Sequence, residues 1–197
     1  MKFFDISRPF FHTPVYPGDP IPGQTWISHA VGKGSYNLSC LSGCVHTATH
    51  ADAPLHVFSE GRSIDQLPLD PFYGKCVVIS ACGILTEEWV DQAVAGGENR
   101  ILLRGSGRGF LSKTAACRLT EKGVVLIGTD ASSIGTGDDE YQAHVSLLSR
   151  GIGVLEGLDL SEVPDGEYLL CAFPIKLDGA EGAPVRAVLI QNEEILT

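Results

Sequence analysis

Strand, helix and strand patterns alternate between residues 124 and 156, and this alternation limits the chain to folds that contain parallel strands. A short buried run at residues 124–127 is followed by a capped helix pattern around residues 139–149, which stops at Gly151. Another apolar strand pattern follows directly at residues 153–156. Two strands joined through a helix form a βαβ unit, in which both strands run parallel in one sheet. The segment therefore predicts an α/β architecture.

The rest of the chain supplies strands for a second sheet and further helices. Helix signals begin at Thr86 and cover residues 113–122 before Gly123, while an irregular, Pro- and Gly-rich arm at residues 1–24 is expected to wrap around a pocket rim. Further strand patterns cover residues 25–31, 36–41, 75–80, 100–104, 168–173 and 185–190. The last two are predicted to pair antiparallel. We expect a single α/β domain over residues 1–197, with one central and one peripheral sheet.

Composition and charge narrow the classes of function. With 44% hydrophobic residues among 197, the chain can bury the core of one domain. Its formal net charge is −10 and no run of Lys or Arg forms a phosphate-binding stripe, so we expect no nucleic-acid partner. The longest apolar stretch, near residues 76–85, is too short to span a bilayer. Residues 1–5 include charged residues where the apolar core of a signal peptide would begin. We expect a soluble, cytoplasmic protein without a membrane partner.

Cysteine usage indicates free thiols. A chain of this length can bury enough core to be stable without disulfide bonds, so we expect the cysteines to be unpaired. Because most of them lie in apolar segments, we also expect them to be buried. Cys40 and Cys44 precede a histidine-rich segment and are alternative metal ligands, but they lack the second thiolate pair of a structural zinc site. We expect these two in the core or in a pocket wall. The six cysteines are Cys40, Cys44, Cys76, Cys82, Cys117 and Cys171.

The histidine-rich segment, residues 46–56, predicts a metal site. His46, His50, His56 and Asp52 stand among small and apolar side chains. Imidazole nitrogen with carboxylate oxygen suits zinc, manganese, iron or nickel, and a site without thiolates is more often catalytic than structural. We therefore expect the chemistry of the protein to take place here.

Geometry requires the backbone to curl inside this segment. A fully extended chain would hold His46 and His50 about 13 Å apart, too far for one ion. Either a helical turn or an irregular bend brings them together, and the β-branched Thr47 and Thr49 favour the bend. Pro54 lacks a ladder donor, which predicts an edge or loop segment rather than a central strand.

Two residues further along the chain are candidates for the remaining ligands. His144 lies in the middle of a predicted helix, and Glu156 lies in an apolar strand pattern. A buried, ionised carboxylate is costly unless it is paired or bound to a metal, so Glu156 needs a partner. Taken alone, both residue types are ordinary surface residues more often than ligands.

The segment from His46 to His56 resembles the His-x-Gly-Thr-His-x-Asp-x-Pro-x-His signature of the metal-dependent cyclase family, which includes the bacterial arylformamidases. The likeness extends over nearly the whole chain. It includes Val57-Phe58 and Gly61 after the motif, residues 5–7 and 16–19 before it, and residues 128–130, His144, Glu156, 174–177 and 183–187 after it.

This resemblance implies a layered β/β/α fold of the swivelling type, usually in a homodimer or homotetramer. It implies that His46, His50 and Asp52 bind a metal ion, and that Asp52 can bridge to a second one. His144 and Glu156 match the residues that complete the two-metal site of the formamidases. His56 matches their catalytic acid/base. The implied cofactor is zinc, as one or two ions, with a single manganese as the alternative.

Two positions depart from the family pattern. Ala48 stands where the signature has Gly, a residue used where the backbone needs a positive φ or a close approach. Tyr16 stands where formamidases often have Trp against the aromatic ring of the substrate. Because Tyr also stacks on aromatic rings, we expect Tyr16 to bind the substrate.

The resulting hypothesis is hydrolysis of an aryl formamide, N-formylkynurenine, by a metal-bound hydroxide, with His56 as acid/base. One alternative keeps the metal site and changes the substrate to another small or cyclic amide such as isatin. The other is a non-catalytic metal-binding protein, which the lack of a closed, cysteine-rich site disfavours.

Overall fold

A computed structural model describes residues 1–28, 32, 34 and 36–191. Their strands and helices follow one another along the chain in a mixed order. The strands are β1 (Lys2–Asp5), β2 (Gly23–Ser28), β3 (Leu38–Ser42), β4 (His50–Asp52), β5 (Tyr73–Ser80), β6 (Gly83–Leu85), β7 (Arg100–Arg104), β8 (Gly109–Leu111), β9 (Leu126–Thr129), β10 (Gly153–Glu156), β11 (Gly166–Cys171), β12 (Gly182–Pro184) and β13 (Val188–Gln191). The helices are α1 (Glu87–Ala93), α2 (Lys113–Glu121) and α3 (Glu140–Leu148).

Nine strands form a central mixed sheet in the order β1-β13-β11-β5-β7-β9-β10-β4-β12. Its middle, β5-β7-β9-β10, is parallel, and the flanking strands pair antiparallel. A separate hairpin of β2 and β3 is antiparallel, and β6 pairs parallel with β8. The predicted α/β class with a central mixed sheet and a small antiparallel sheet is confirmed.

The predicted βαβ unit is present. Strands β9 and β10 pair parallel, with Ile127 opposite Val154, and α3 connects them. Helix starts follow the expected capping chemistry, because the side chains of Thr86 and Ser112 accept hydrogen bonds from backbone N–H groups in the first turns of α1 and α2. The predicted antiparallel pairing near the end of the chain is also confirmed, with Leu169 opposite Ile190.

Side-chain alternation along the buried strands divides the core between the two faces of the sheet. Ile101 and Leu103 of β7 pack with residues of all three helices, while Leu102 packs into the opposite cluster. In β10, Val154 faces the helices and Leu155 faces away. The helix-covered face at β10 is the one that carries the polar residues of the candidate site.

One expectation about the histidine-rich region needs correction, and part of the predicted hairpin lies outside the described residues. Strand β4 is not an edge strand, since it lies between β10 and β12, and Pro54 begins a 3-10 helix, Pro54–His56, after the strand has ended. The peripheral hairpin begins and ends near the predicted positions, but residues 29–31 of the predicted strand 25–31 lie outside the described residues.

The cysteines are free, as expected, but most are not buried. Cys76 is buried, Cys44 and Cys171 are partly buried, and Cys40, Cys82 and Cys117 are exposed. The error arises because short strands such as β3 present apolar residues to solvent, so an apolar neighbourhood in sequence does not guarantee burial. In the described part of the chain, no helix has the length and apolar character needed to cross a bilayer.

Candidate metal centre

Strand register places three polar side chains on one face of the sheet. Strands β4 and β10 pair antiparallel, with His50 opposite Glu156 and Asp52 opposite Val154. Because directly opposed residues project to the same face, His50, Asp52 and Glu156 all lie on the helix-covered side, like Val154. Helix α3 packs over β10 and adds His144 to the group.

His46 joins this group through an irregular bend, the alternative that the sequence favoured. Ala48 in the bend has φ +59°, in the left-handed region where Gly is unstrained. The Ala48 carbonyl accepts a hydrogen bond from His50 Nδ1 at 3.0 Å, and the Thr49 hydroxyl donates to the Gly157 carbonyl at 2.6 Å. The bend brings the His46 and His50 ring centroids to 5.0 Å.

The Asp52 carboxylate is the centre of the cluster. Its Oδ1 lies 3.0 Å from His46 Nδ1 and 3.5 Å from His50 Nε2. Its Oδ2 lies 3.5 Å from His144 Nε2. The two oxygens therefore face different histidines, which is the arrangement expected of a carboxylate shared by two neighbouring ligand groups.

Glu156 has the partners that its position in an apolar strand requires. Its Oε1 lies 3.0 Å from His144 Nε2 and accepts a hydrogen bond from Ile134 N at 2.7 Å. Its Oε2 lies 3.4 Å from His50 Nε2. The carboxylate thus contacts two histidines and is fixed by a backbone N–H.

Backbone carbonyls orient two of the rings. His50 Nδ1 bonds to the Ala48 carbonyl, and His144 Nδ1 bonds to the Glu140 carbonyl at 2.8 Å. In the neutral imidazole, an Nδ1–H that donates to a carbonyl leaves Nε2 as the lone-pair nitrogen. This second contact is typical of metal-binding histidines.

The donor set fits a divalent cation. Three atoms of the cluster are buried and without a hydrogen-bond partner among the described residues, namely His46 Nε2, His50 Nε2 and Asp52 Oδ2. Two groups have ligand atoms within 4.8 Å of one another, the first being His46, His50 and Asp52 and the second Asp52, His56 and His144. Nitrogen and oxygen donors without sulfur suit zinc or manganese.

Burial and charge shift the titration of the cluster strongly. Burial by itself lowers the pKa of His50, but Glu156 and Asp52 outweigh it and raise that pKa to about 9. The pKa of His144 rises to about 11, because Asp52 and Glu156 outweigh the effect of burial. Burial raises the carboxyl pKa values, yet contacts with the histidines hold the pKa of Asp52 well below its usual range and also lower that of Glu156.

His56 differs from the other histidines. Its ring centroid lies 4.3 Å from that of His46 and 5.5 Å from that of His144, but its side chain is exposed at the pocket. Partial desolvation lowers the pKa of His56, the charge of Asp52 opposing this effect. Gly61 supports the short helix that carries His56, since an added Cβ would overlap the backbone of Pro54 and Leu55.

A cavity of about 150 Å³ opens onto the cluster. Tyr16 stands on its wall and donates its hydroxyl to Glu140 Oε1 at 2.9 Å, which ties the N-terminal arm to α3. A neighbouring cavity of about 330 Å³ shares Tyr16, His46 and His50 with it. The lining residues of the first are Tyr16, Asp19, His46, His50, His56, Ser132, Ser133, Glu140, His144 and Glu156.

The structure brings together all seven residues selected from the sequence, which are Tyr16, His46, His50, Asp52, His56, His144 and Glu156. Sequence reasoning missed Ser133 and Glu140 in the pocket wall, and Glu181, whose Oε1 lies 3.7 Å from His46 Nε2. A single Ser or Glu carries no spacing signal. Only the packing of the loops distinguishes these residues from other polar residues.

The chain is similar to known proteins in sequence and in fold. The family model described as Cyclase, putative cyclase, matches residues 4–136. The chain is similar to a kynurenine formamidase from Paracidovorax citrulli (strain AAC00-1), with 38% identity covering 94% of this chain and 95% of that protein. The solved structure of a predicted metal-dependent hydrolase from Bacillus stearothermophilus has 29% identity and a TM-score of 0.81, covering 95% of this chain and 97% of the other. Isatin hydrolase A from Labrenzia aggregata shares the fold, with a TM-score of 0.80 at 23% identity, covering 97% of this chain and 94% of the other.

Proposed function

The chain belongs to the putative cyclase family, and on that premise we propose that it is a metal-dependent amide hydrolase that converts N-formylkynurenine to kynurenine and formate. The observation that carries this proposal is the buried histidine–carboxylate cluster, whose unpartnered atoms lie beside a pocket. The 38% identity to a kynurenine formamidase over most of both chains supports the substrate.

The cluster offers two places for a cation that share Asp52. We assign His46, His50 and Asp52 to the first place, and Asp52, His144 and Glu156 to the second. The contacts of the two Asp52 oxygens with different histidines favour this assignment. His56 also has a nitrogen within reach of the second place, but its exposure and lowered pKa suit a proton carrier better.

A bound divalent cation supplies a Lewis acid for the formyl carbonyl and lowers the pKa of water toward about 7. His56 takes a proton from the attacking water and delivers it to the nitrogen of the leaving amine. Tyr16, held by Glu140, forms an aromatic wall on which the ring of the substrate stacks. The buried carboxylates and the backbone-bonded histidines keep the site fixed while the proton moves.

The test is hydrolysis of N-formyl-L-kynurenine by protein stripped of metal and reconstituted separately with zinc or manganese. We expect turnover that depends on the added metal. Isatin is the matched second substrate because it offers a cyclic amide to the same site. Turnover of isatin alone would favour the alternative substrate class, and metal binding without hydrolysis of either would favour a non-catalytic role.

We further propose zinc as the cofactor, bound as one or two ions, with manganese as the alternative. Elemental analysis after dialysis gives the number of ions per chain. Two zinc ions in the wild type, and fewer in Glu156→Gln, would support the shared-carboxylate arrangement. One ion in both proteins would contradict a second place that depends on Glu156.

We propose that the enzyme works in the cytoplasm as a homodimer or homotetramer. Its six cysteines are unpaired, which suits a reducing compartment.

The β2–β3 hairpin has no charged residue in either strand and exposes Ile27 and Leu41, so two copies of this acidic chain can meet there without charge repulsion. The mass in solution should fall to that of a monomer for Ile27→Glu with Leu41→Glu, but not for the control Ile84→Glu. A monomeric wild type would exclude self-association.

A further inference from the structure

Ser133 is a buried serine in the wall of the pocket, in the loop between β9 and α3. Its side chain is 6% exposed, and its Oγ has no hydrogen-bond partner among the residues that the structure describes. Ser133 lines the same cavity as His56 and His144. A buried hydroxyl without a partner costs free energy, so its retention beside a pocket requires an explanation.

The backbone around Ser133 is fixed on both sides. Ile134 N donates to Glu156 Oε1 at 2.7 Å, and Leu111 N donates to the Ile134 carbonyl at 2.8 Å. On the other side, Gly157 N donates to the Ala131 carbonyl at 2.8 Å. The loop is therefore attached to the same strand end that carries Glu156, which sets the position of the Ser133 hydroxyl relative to the cluster.

Ser133 is the buried hydroxyl donor that the pocket leaves uncommitted. The Tyr16 hydroxyl already donates to Glu140, and Ser132 is exposed at the pocket mouth. The carboxylates of the wall accept hydrogen bonds and do not donate them when ionised. Among the described residues of the wall, a carbonyl oxygen entering the cavity therefore finds a side-chain hydrogen-bond donor at the buried Ser133, at the exposed Ser132 or on a protonated histidine.

We propose that Ser133 is a catalytic residue whose Oγ–H donates a hydrogen bond to the carbonyl oxygen of the substrate. When the oxygen of water bonds to the carbonyl carbon, the π electron pair of the C=O bond moves onto the carbonyl oxygen. The hydrogen bond from Ser133 strengthens as this negative charge develops. The pair returns when the C–N bond breaks, and the nitrogen leaves with the proton that His56 delivers. This inference rests on the proposed hydrolase function.

The test compares Ser133→Ala with wild type and with the control Ser59→Ala, an exposed serine outside the lining of both cavities. Loss of one such donor lowers kcat by about 10²–10³-fold. We expect this loss in Ser133→Ala, with KM within a few-fold of wild type and metal content unchanged. Ser59→Ala should retain kcat. Ser133→Cys, which keeps a weak donor of similar size, should be intermediate between Ser133→Ala and wild type.

Thermal unfolding of the metal-loaded, substrate-free protein separates this role from a structural one. Because Ser133→Ala removes a buried hydroxyl without a partner, its midpoint should equal or exceed that of wild type. A kcat within threefold of wild type, or a lowered midpoint, would overturn the inference. If the wild type hydrolyses isatin rather than N-formyl-L-kynurenine, only the proposed substrate fails, and the kcat comparison is made with isatin. If neither is hydrolysed, the proposed hydrolase function fails, and the role of Ser133 fails with it.

Discussion

At the scale of single residues, His56 is the side chain whose proposed role is most directly tested by substitution. His56→Ala should lower kcat by about 10²–10⁴-fold, because a positioned proton carrier contributes that much to a rate. Metal content should stay at the wild-type level, since His56 is not one of the assigned ligands. Steady-state kinetics together with elemental analysis measure both quantities.

His12 provides the control for this substitution, because it is an exposed histidine outside the pocket lining. His12→Ala should leave turnover unchanged. If His56→Ala loses metal in parallel with activity, His56 is a ligand of the second place instead of the acid/base. Turnover within a few-fold of wild type at full metal content would remove His56 from the mechanism.

Ala48 carries a backbone conformation that favours Gly. At φ +59° a Cβ costs about 1–2 kcal/mol, while Gly costs about 0.5–1 kcal/mol of extra chain entropy. Ala48→Gly should therefore raise the free energy of unfolding by up to about 1 kcal/mol, as measured by urea denaturation. Ala115→Gly in α2 is the control and should lower it by about 2 kcal/mol, because it loses helix propensity and a buried methyl group. Destabilisation by Ala48→Gly would mean that the strain at this bend is small.

The sequence indicated which side chains meet at the candidate site, but not how they contact one another. Seven side chains were selected because histidines and carboxylates in one short segment, and a family likeness around them, are specific signals. Ser133 was not selected, since its interest comes from burial and from a missing partner, and both depend on packing. The strain at Ala48 lies between these cases, because the departure from Gly is visible in the sequence but the positive φ is not.

At the scale of elements, Gly182 of β12 is required by the approach of His46. Gly182 pairs with Asp52, and an added Cβ would lie 2.9 Å from His46 Cε1 and 3.0 Å from the Ala51 carbonyl oxygen. Gly182→Ala should displace the His46 ring and weaken zinc binding by about 10–100-fold, the range seen when the support of a ligand is lost. Competition with a coloured chelator measures this affinity.

Gly153→Ala is the matched control, because an added Cβ there makes ordinary contacts at 3.4–3.5 Å at the start of β10. It should bind zinc with the affinity of wild type. Equal affinities in both variants would show that the His46 ring moves without cost, or that His46 is not a ligand.

Local sequence patterns predicted most of the strands and helices, but not the position of β4 in the sheet. Strand β10 and helix α3 were predicted closely, since a buried apolar run and a terminal Gly are local signals, although Asp139 makes no side-chain capping hydrogen bond at the start of α3. The placement of β4 between β10 and β12 depends on segments about a hundred residues away, and Pro54 suggested an edge. Pro54 lies after the end of β4, so all three residues of β4 still pair with strands on both sides inside the sheet.

At the scale of the whole molecule, metal binding should be coupled to proton release. In the metal-free protein the pKa values of His50 and His144 are about 9 and about 11, so both rings are protonated near neutral pH and balance the charges of Asp52 and Glu156. A cation must displace these protons in order to bind. Since the displaced groups have pKa values above the working pH, the apparent affinity should increase as pH rises.

Between pH 6 and 8 we expect the apparent dissociation constant for zinc to fall by about tenfold per pH unit for each proton released. Calorimetry in buffers of different ionisation enthalpy gives the number of protons directly, and this number should lie between one and two. The formal net charge of −10 is the same in wild type and in His144→Gln and favours cations of every kind, so it does not by itself produce this pH dependence. His144→Gln should release about one proton fewer than wild type. If wild type releases none, the histidines are already neutral in the metal-free protein, and the carboxylates of the cluster are not paired with imidazolium charges.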